Sequence, residues 1–199
     1  STTVTPNNLV YNGDFFLGNV GFTSDYTYYN PNNPTNVQKA YGVVTDAETW
    51  ETGFATCNDH TNGLGRMMVI DGSTVNGGND KVWCQTVPVT PGQNYTLTYW
   101  LQTLALPSPA NIDVVINGIS LGTSLAPNTT CTWAQQTQTW NSRLNTTAQI
   151  CFYNRNTASN GNDFAIDDIA FARVNTCVLP PASVTVTVTN TINLVVNPP

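Results

Sequence analysis

Short runs in which apolar and polar residues alternate recur along the whole chain, and no stretch sustains the 3.6-residue apolar period of an amphipathic helix. Clusters of Asn, Gly and Pro separate the runs, and two of them, Pro91-Gly92 and Asn117-Gly118, have the composition of hairpin turns. This pattern predicts an all-β protein. Strands are expected near residues 8–16, 21–29, 66–71, 81–89, 94–104, 111–117, 119–123, 132–140, 147–154 and 164–173.

The number and spacing of these strands favour a jelly-roll β-sandwich, and residues 1–177 are enough for one such domain with its own core. Two regions depart from the pattern. Residues 30–65 form a long excursion containing Asn, Gly and Pro, and an excursion of that length is usually functional or held by a crosslink. Near the other end, Pro180-Pro181 is expected to stop the domain, so residues 178–199 are assigned to a hinge and an additional C-terminal β-strand.

The C-terminal segment has the most regular alternation in the sequence. Its branched apolar residues would all point to one side of a strand, where they would promote aggregation in water. We expect the segment to add to a sheet edge of a neighbouring copy, which would propagate a filament, to fold back on its own domain, or to begin a further domain. The candidate assembly residues are Val184, Val186, Val188, Ile192, Leu194 and Val196.

Composition narrows the classes of partner. Charged residues make up 9% of the 199 residues, against about 25% in an average globular protein, and the formal net charge is −6. Six basic side chains cannot form the phosphate-neutralising surface of a nucleic-acid-binding protein, and no apolar stretch is long enough for a membrane span. The 26 Asn and 31 Thr make up over a quarter of the chain, so solubility must come from amides and hydroxyls, or from sugars attached to them.

Five cysteines, a single His and the absence of any CxxC pair favour disulfides over a zinc site. The pairings considered are Cys57 with Cys84, and Cys131 with Cys177 or Cys151, which leaves one thiol over. The first residue is Ser rather than Met, as in a mature secreted chain, so we expect an extracellular or cell-surface location. Sequons for N-glycosylation begin at Asn94, Asn128 and Asn145.

Four segments carry a resemblance to a known family, namely residues 8–15 (NLVYNGDF), 57–68 (CNDHTNGLGRMM), 82–100 (VWCQTVPVTPGQNYTLTYW) and 161–171 (GNDFAIDDIAF). The first, third and fourth resemble, in order, the calcium-binding jelly-roll carbohydrate-binding modules of secreted bacterial proteins. The second is similar to a loop of surface-protein versions of this domain. The resemblance implies the fold, but scaffold segments of this kind say little about the ligand.

The resemblance also implies a structural calcium ion where the first strand meets the last. The implied ligand is Asp167, with Asp168 beside it and backbone oxygens from near Asp14 and from residues 21–25. One carboxylate with several carbonyl oxygens suits calcium. The family often has Glu two residues after Asp14, where this chain has Phe. Alternatively, the two acids cap a turn or pair with Arg173.

No set of residues forms a recognisable catalytic group. His60 lies in the long excursion without a nucleophile held at a sharp turn, so we expect a loop histidine that is hydrogen-bonded to backbone. Glycoside hydrolysis needs two carboxylates across a cleft, and the only Glu residues, Glu48 and Glu51, are three positions apart. We expect the protein not to be an enzyme.

Aromatic side chains near amides are the candidates for sugar binding, because ring faces pack on the C–H faces of sugars. The sequence thus supports a self-assembling extracellular structural subunit or, alternatively, a calcium-stabilised glycan-binding module. Trp83, Tyr99 and Trp100 are expected in the core. The glycan-binding candidates are Tyr26, Tyr28, Tyr29 and Trp50, followed by Trp133 and Trp140.

Overall fold

Two β-sheets pack face to face in the computed structural model, which describes residues 7–33 and 37–174. The described elements are β1 (Thr27–Tyr28), β2 (Ala40–Val44), α1 (Ala47–Trp50), β3 (Met67–Asp71), a 3₁₀ turn (Asn76–Gly78), β4 (Lys81–Pro88), β5 (Asn94–Thr103), β6 (Asn111–Ile116), β7 (Ile119–Leu125), β8 (Ala134–Asn141), β9 (Thr147–Asn154) and β10 (Phe164–Arg173).

One sheet has six strands in the order β1-β2-β3-β10-β5-β8, and the other has four in the order β4-β9-β6-β7. Strands β1 and β2 run parallel, and the other neighbouring pairs are antiparallel. This is the jelly-roll β-sandwich that the sequence predicts.

Alternate residues of each strand point between the sheets and form the main core. Trp83 and Tyr99 are completely buried there, as predicted. Their neighbours include Met68, Ile70, Leu97, Leu101, Val114, Ile150, Phe152, Phe164, Ile166 and Phe171.

A second apolar cluster lies on the outer face of the six-stranded sheet. Its sheet residues, such as Val69 and Ala165, alternate with those of the main core. The segment after β2 covers them with the rings of Trp50 and Phe54, whose centroids are 5.9 Å apart. The Trp50 indole donates a hydrogen bond to the carbonyl oxygen of Tyr29 at 3.1 Å. The long excursion is therefore a cover for part of this sheet's outer face.

The strand predictions are wrong in two places. Residues 8–16 form turns, with Phe15 at φ 52°, and only Thr27–Tyr28 of the segment 21–29 forms a strand. Conversely, β2 and α1 lie inside the excursion 30–65, which was expected to be a loop. Strand β2 forms because it pairs with β3 over five residues, a tertiary interaction that its own alternation does not reveal.

Two disulfides form, and the pairings considered from the sequence are wrong. Cys57 bonds Cys131 and so joins the excursion to the segment before β8. Cys84 bonds Cys151, its direct partner across β4 and β9, with 4.2 Å between the Cα atoms. The spacing of cysteines does not reveal which strands are neighbours, and that order decides the pairing. Cys177 lies outside the described residues.

The predicted C-terminal strand, from Val184 to Val196, also lies outside the described residues. Its pairing with a neighbouring copy therefore stays a prediction. Within residues 7–33 and 37–174, no helix has both the length and the apolar character needed to cross a membrane.

Candidate functional site

Two carboxylates face each other where β3 ends and β10 begins. Asp71 is the last residue of β3 and Asp163 directly precedes β10, so each lies one position beyond the antiparallel pair of Ile70 with Phe164. Because Ile70 and Phe164 point into the main core, the next residues in the register point to the outer face. Asp71 is 7% exposed, and Asp163 accepts a hydrogen bond on Oδ1 from the Gly72 amide at 3.0 Å.

Glu51 adds a third carboxyl group from the excursion. It follows α1, which begins after Asp46, and the Asp46 side chain caps the helix by accepting a hydrogen bond from the Glu48 amide at 2.9 Å. The buried helix residues Ala47 and Trp50 hold α1 on the outer apolar cluster. Glu51 is thereby buried, with 3% of its surface exposed.

Together the three acids line a groove of about 200 Å³, which we call the acidic groove. Asn162 forms part of its wall and is fixed by hydrogen bonds from Nδ2 to the carbonyl oxygens of Ser73 and Asn156. A Cβ at Gly72 would lie 2.1 Å from Asn162 Oδ1, so this contact requires glycine. The other lining residues are Gln38, Gly53, Phe54, Ala105, Ser159, Asn160 and Gly161.

Burial makes these carboxyls harder to ionise. It raises the pKa of Asp71 to about 7, with a further contribution from the nearby carboxyls of Asp163 and Glu51. Burial likewise raises the pKa of Asp163 to about 6, against the lowering effect of the Gly72 amide. The pKa of Glu51 is also raised by burial. A positive charge or a hydrogen-bond donor in the groove would favour the ionised forms.

A second group of acids, Asp167 and Asp168, lies at a β-bulge further along β10. Asp167 is completely buried, and its Oδ2 and Oδ1 accept hydrogen bonds from the amides of His60 and Asp168 at 2.9 and 2.8 Å. The Asp168 carboxylate contacts His60 Nδ1 at 2.7 Å and accepts a hydrogen bond from the Thr61 hydroxyl at 2.9 Å. These acids therefore anchor the excursion to the sheet. Burial raises the pKa of Asp167 to about 8.

The His60 ring stacks on Trp100, with centroids 3.7 Å apart and planes 17° apart, and meets Trp133 edge-on at 5.9 Å. Trp100 is half-buried on the outer face of the sheet, so its expected position in the core is wrong. It was predicted there because its neighbours in the sequence are core residues. The prediction that His60 is hydrogen-bonded to backbone is wrong, because its ring contacts the Asp168 carboxylate and its amide donates to the Asp167 carboxylate.

The structure brings only part of the predicted calcium set together. Asp14 and Asp168 line one groove, while Asp167 is turned toward the excursion. The Asp14 carboxylate accepts a hydrogen bond from the Phe16 amide at 3.2 Å. Among the described residues, no three His, Cys, Asp or Glu side chains are grouped closely enough to hold a metal ion. The described side chains thus do not form a carboxylate-rich calcium site, and calcium stays a prediction.

The predicted sugar-binding aromatics differ in accessibility. Tyr26 and Trp50 are buried, with 5% and 1% exposed, so neither offers an open ring face and both predictions need correction. The Tyr26 hydroxyl accepts a hydrogen bond from the Ser73 amide at 3.3 Å. Tyr28 and Tyr29 are half-buried. Tyr26 lies in a bend and Trp50 in the short helix α1, and strand alternation does not indicate which side of such segments faces the core.

Trp133 and Trp140 are also half-buried. Trp133 donates a hydrogen bond to the carbonyl oxygen of Asn58 at 3.1 Å and packs on the outer apolar cluster. Trp140 packs on the main core and lines a groove of about 430 Å³ with Asn94, Tyr95, Thr139, Asn141 and Val174. All three sequon residues, Asn94, Asn128 and Asn145, are exposed. Glycosylation stays a prediction.

Sequence reasoning did not select Asp71 or Asp163. Each lies at the end of an apolar run, Asp71 after residues 67–70 and Asp163 before residues 164–166. An acid directly at the end of a strand is a recognisable signal, but its partner depends on strand order. Glu51 was set aside because Glu48 is close in sequence, whereas its true neighbours come from two other strands.

No family model matches the chain, and no curated protein matches it in sequence. Solved structures resemble it in fold. The CBM22-1 xylan-binding domain from Paenibacillus barcinonensis Xyn10C is 10% identical with a TM-score of 0.55, over 88% of this chain and 100% of that one. TmCBM61, solved in complex with β-1,4-galactotriose, is 14% identical with a TM-score of 0.51, over 84% of this chain and 99% of that one.

The fold also occurs inside an enzyme structure. The α-L-arabinofuranosidase MgGH51, solved with bound arabinose, is 12% identical with a TM-score of 0.54, over 83% of this chain and 26% of that one. The match thus covers nearly the whole length of the CBM22-1 domain and of TmCBM61, and about a quarter of the arabinofuranosidase. At these identities, the likeness shows the fold alone.

Proposed function

We propose that this domain is a non-catalytic extracellular module that binds glycans, with a sugar residue in the acidic groove. The observation that carries the proposal is the groove itself, where carboxylates and amides from four separate segments converge beside the Phe54 ring. Such groups accept and donate hydrogen bonds to sugar hydroxyls. The shared fold of the carbohydrate-binding modules and the two disulfides support the same proposal.

The test is a glycan array followed by isothermal titration with the glycans that are retained. Asn160→Ala removes an exposed amide at the groove and should weaken binding without loss of stability. Asn128→Ala removes an exposed amide elsewhere and is the matched control. Retained glycans should release no reducing sugar on incubation with the protein. Failure to retain any glycan would overturn the proposal, and equal binding by both variants would exclude this groove as the site.

A second proposal is self-assembly through the C-terminal segment. Strand β8 ends the six-stranded sheet, and its outward residues Gln135, Thr137, Thr139 and Asn141 are exposed. An edge strand with free amides and carbonyls can accept a further strand. We propose that the segment containing Val184–Val196 adds to such an edge of another copy.

Sedimentation over a range of protein concentrations tests this second proposal. The full chain should form larger species as concentration rises, and a chain that ends at Cys177 should stay monomeric. A full chain that sediments as a monomer at every concentration would overturn it. The shortened chain should still bind glycans, which would show that it remains folded.

A further inference from the structure

The negative charge of the acidic groove has no counterpart among the basic side chains. All six Lys and Arg residues of the chain lie in the described parts, and none of them lines the groove. Lys39 pairs with Asp80 at 2.8 Å, and Arg155 pairs with Asp113 at 2.7 Å, and none of these residues lines the groove. The chain therefore supplies no side-chain cation to Glu51, Asp71 and Asp163.

One carboxylate oxygen of the groove also has no hydrogen-bond donor among the described residues. Glu51 Oε2 is buried and has no hydrogen-bond partner among the described residues. Its other oxygen accepts a long hydrogen bond of 3.4 Å from the Gly53 amide. A buried carboxylate oxygen without a donor is costly, because its lost hydration is not replaced. A ligand that brings donors into the groove would restore what Glu51 lacks.

The spacing of the acids favours an organic cation over a bare metal ion. In the described parts of the chain, no three His, Cys, Asp or Glu side chains are close enough for one metal ion. A protonated primary amine carries a full positive charge and three N–H donors, and it reaches acceptors at hydrogen-bond distance rather than at metal-ligand distance. Hydroxyl groups supply donors but no charge to balance three carboxyls.

We propose that the acidic groove selects glycans that carry a free amino group, with the ammonium of one amino-sugar residue bound among Glu51, Asp71 and Asp163. This inference rests on the glycan-binding function proposed above. The volume of about 200 Å³ is below the about 300 Å³ at which pockets for drug-sized ligands begin, which suits one sugar residue of a longer chain. Phe54 and Ala105 supply an apolar wall beside the polar one.

The test compares glucosamine oligomers with N-acetylglucosamine oligomers of the same length by isothermal titration. The free amines should bind at least about tenfold more tightly, the ratio expected of a charge-assisted hydrogen bond. Glu51→Gln and Asp71→Asn should each remove most of this preference. Glu48→Gln removes the same charge three residues away, outside the groove, and should leave the preference intact. A thermal melt of each variant shows that a lost preference does not come from unfolding.

A second measurement is the number of protons that the protein releases when the glycan binds. The pKa of Asp71 is about 7 and that of Asp163 about 6, so a bound ammonium should displace protons from them between pH 6 and 7. Titration in buffers of different ionisation enthalpy measures this release, and Asp71→Asn should reduce it.

Equal affinity for free and acetylated oligomers would overturn the inference while leaving the proposed glycan binding in place. The inference would also be overturned if the natural chain showed no preference for free amines but bound calcium alone, with an affinity that falls in Glu51→Gln. Failure of every glycan to bind would instead be the failure of the proposed function.

Discussion

Acids lie at two places along β10, one at its bulge and one just before its first residue, and they differ in the hydrogen bonds that the protein donates to them. At the bulge, Asp167 and Asp168 receive hydrogen bonds from His60 and Thr61 of the excursion. At the start of the strand, Asp163 belongs to the acidic groove, where described partners are scarce and Glu51 Oε2 has none. Both groups lie on the same outer face, and the same excursion approaches both.

The difference separates structural acids from acids that are available to a ligand. A carboxylate whose oxygens accept hydrogen bonds from the protein's own donors holds those segments together and offers little to a ligand. A buried carboxylate without donors destabilises the fold, and such a cost is commonly found at functional sites. Mutations should therefore have opposite effects on stability at the two places.

The excursion is crosslinked by the Cys57–Cys131 disulfide. In the sequence, Cys57 lies between Glu51, which lines the acidic groove, and His60, which contacts the acids of the bulge. Replacing both cysteines with Ser should lower the free energy of unfolding by about 4 kcal/mol, because the bond spans 74 residues. Freed from the sheet, the excursion should no longer hold Glu51 in the groove, and glycan affinity should fall. Urea unfolding and isothermal titration measure the two effects.

The other disulfide is the matched control. Cys84–Cys151 spans 67 residues and lies in the four-stranded sheet, away from both acid groups. Its double Ser variant should lose a similar amount of stability, provided that it folds, and keep its glycan affinity. Equal loss of affinity in the two variants would show that the excursion has no special part in binding.

Asp167→Ala should have the next largest effect. It removes a buried acceptor of two amide hydrogen bonds, those from His60 and Asp168, which should cost about 2–4 kcal/mol of stability. Hydrogen exchange should speed up across residues 57–65, because this anchor of the excursion is lost. Asp14→Ala, on the exposed surface, should change stability by less than about 0.5 kcal/mol.

Asp167→Ala also tests the calcium prediction. If calcium binds at Asp167 as the resemblance implies, adding it should raise the melting temperature of the natural chain but not that of Asp167→Ala. A chelator should reverse the increase. An unchanged melting temperature in the natural chain would contradict a calcium site at this position.

The sequence predicts the fold well because alternation is a local property. The strand from Asn94 to Thr103 alternates inward Tyr and Leu with outward Thr, and its position follows from that pattern alone. Strand β2 was missed because its Ala-Tyr-Gly-Val-Val run does not alternate, and it becomes a strand only by pairing with β3. Local patterns are readable where a strand is buried on one face, and less so where both faces are covered.

The acidic groove could not be predicted in the same way. It depends on strand order, which places β10 beside β3, and on a helical turn that folds Glu51 over that pair. Neither the strand order nor the position of this turn can be predicted from the apolar period of a single segment. The disulfide Cys57–Cys131 has the same origin, because it joins segments that meet only in the folded domain.

Asp71→Asn should change stability in the opposite direction. The folded-state pKa of Asp71 is about 7, above its ordinary value of 3.8, so the folded protein binds more protons than the unfolded chain between these values. This carboxyl therefore lowers stability progressively as pH rises from about 4 to about 7. The Asn variant should match the natural chain near pH 4 and be more stable at pH 8, by at most about 4 kcal/mol, which is the full value of a pKa shift from 3.8 to about 7.

Thermal melts across this pH range measure the gain. Asp168→Asn is the matched control, because it is the same substitution on the same face but at an acid whose oxygens are already hydrogen-bonded. It should bring no gain at high pH. If both variants gained stability equally at pH 8, the effect would come from the lower net charge of the protein. If only Asp71→Asn does so, the acidic groove holds charge that the fold itself does not need, as a ligand site requires.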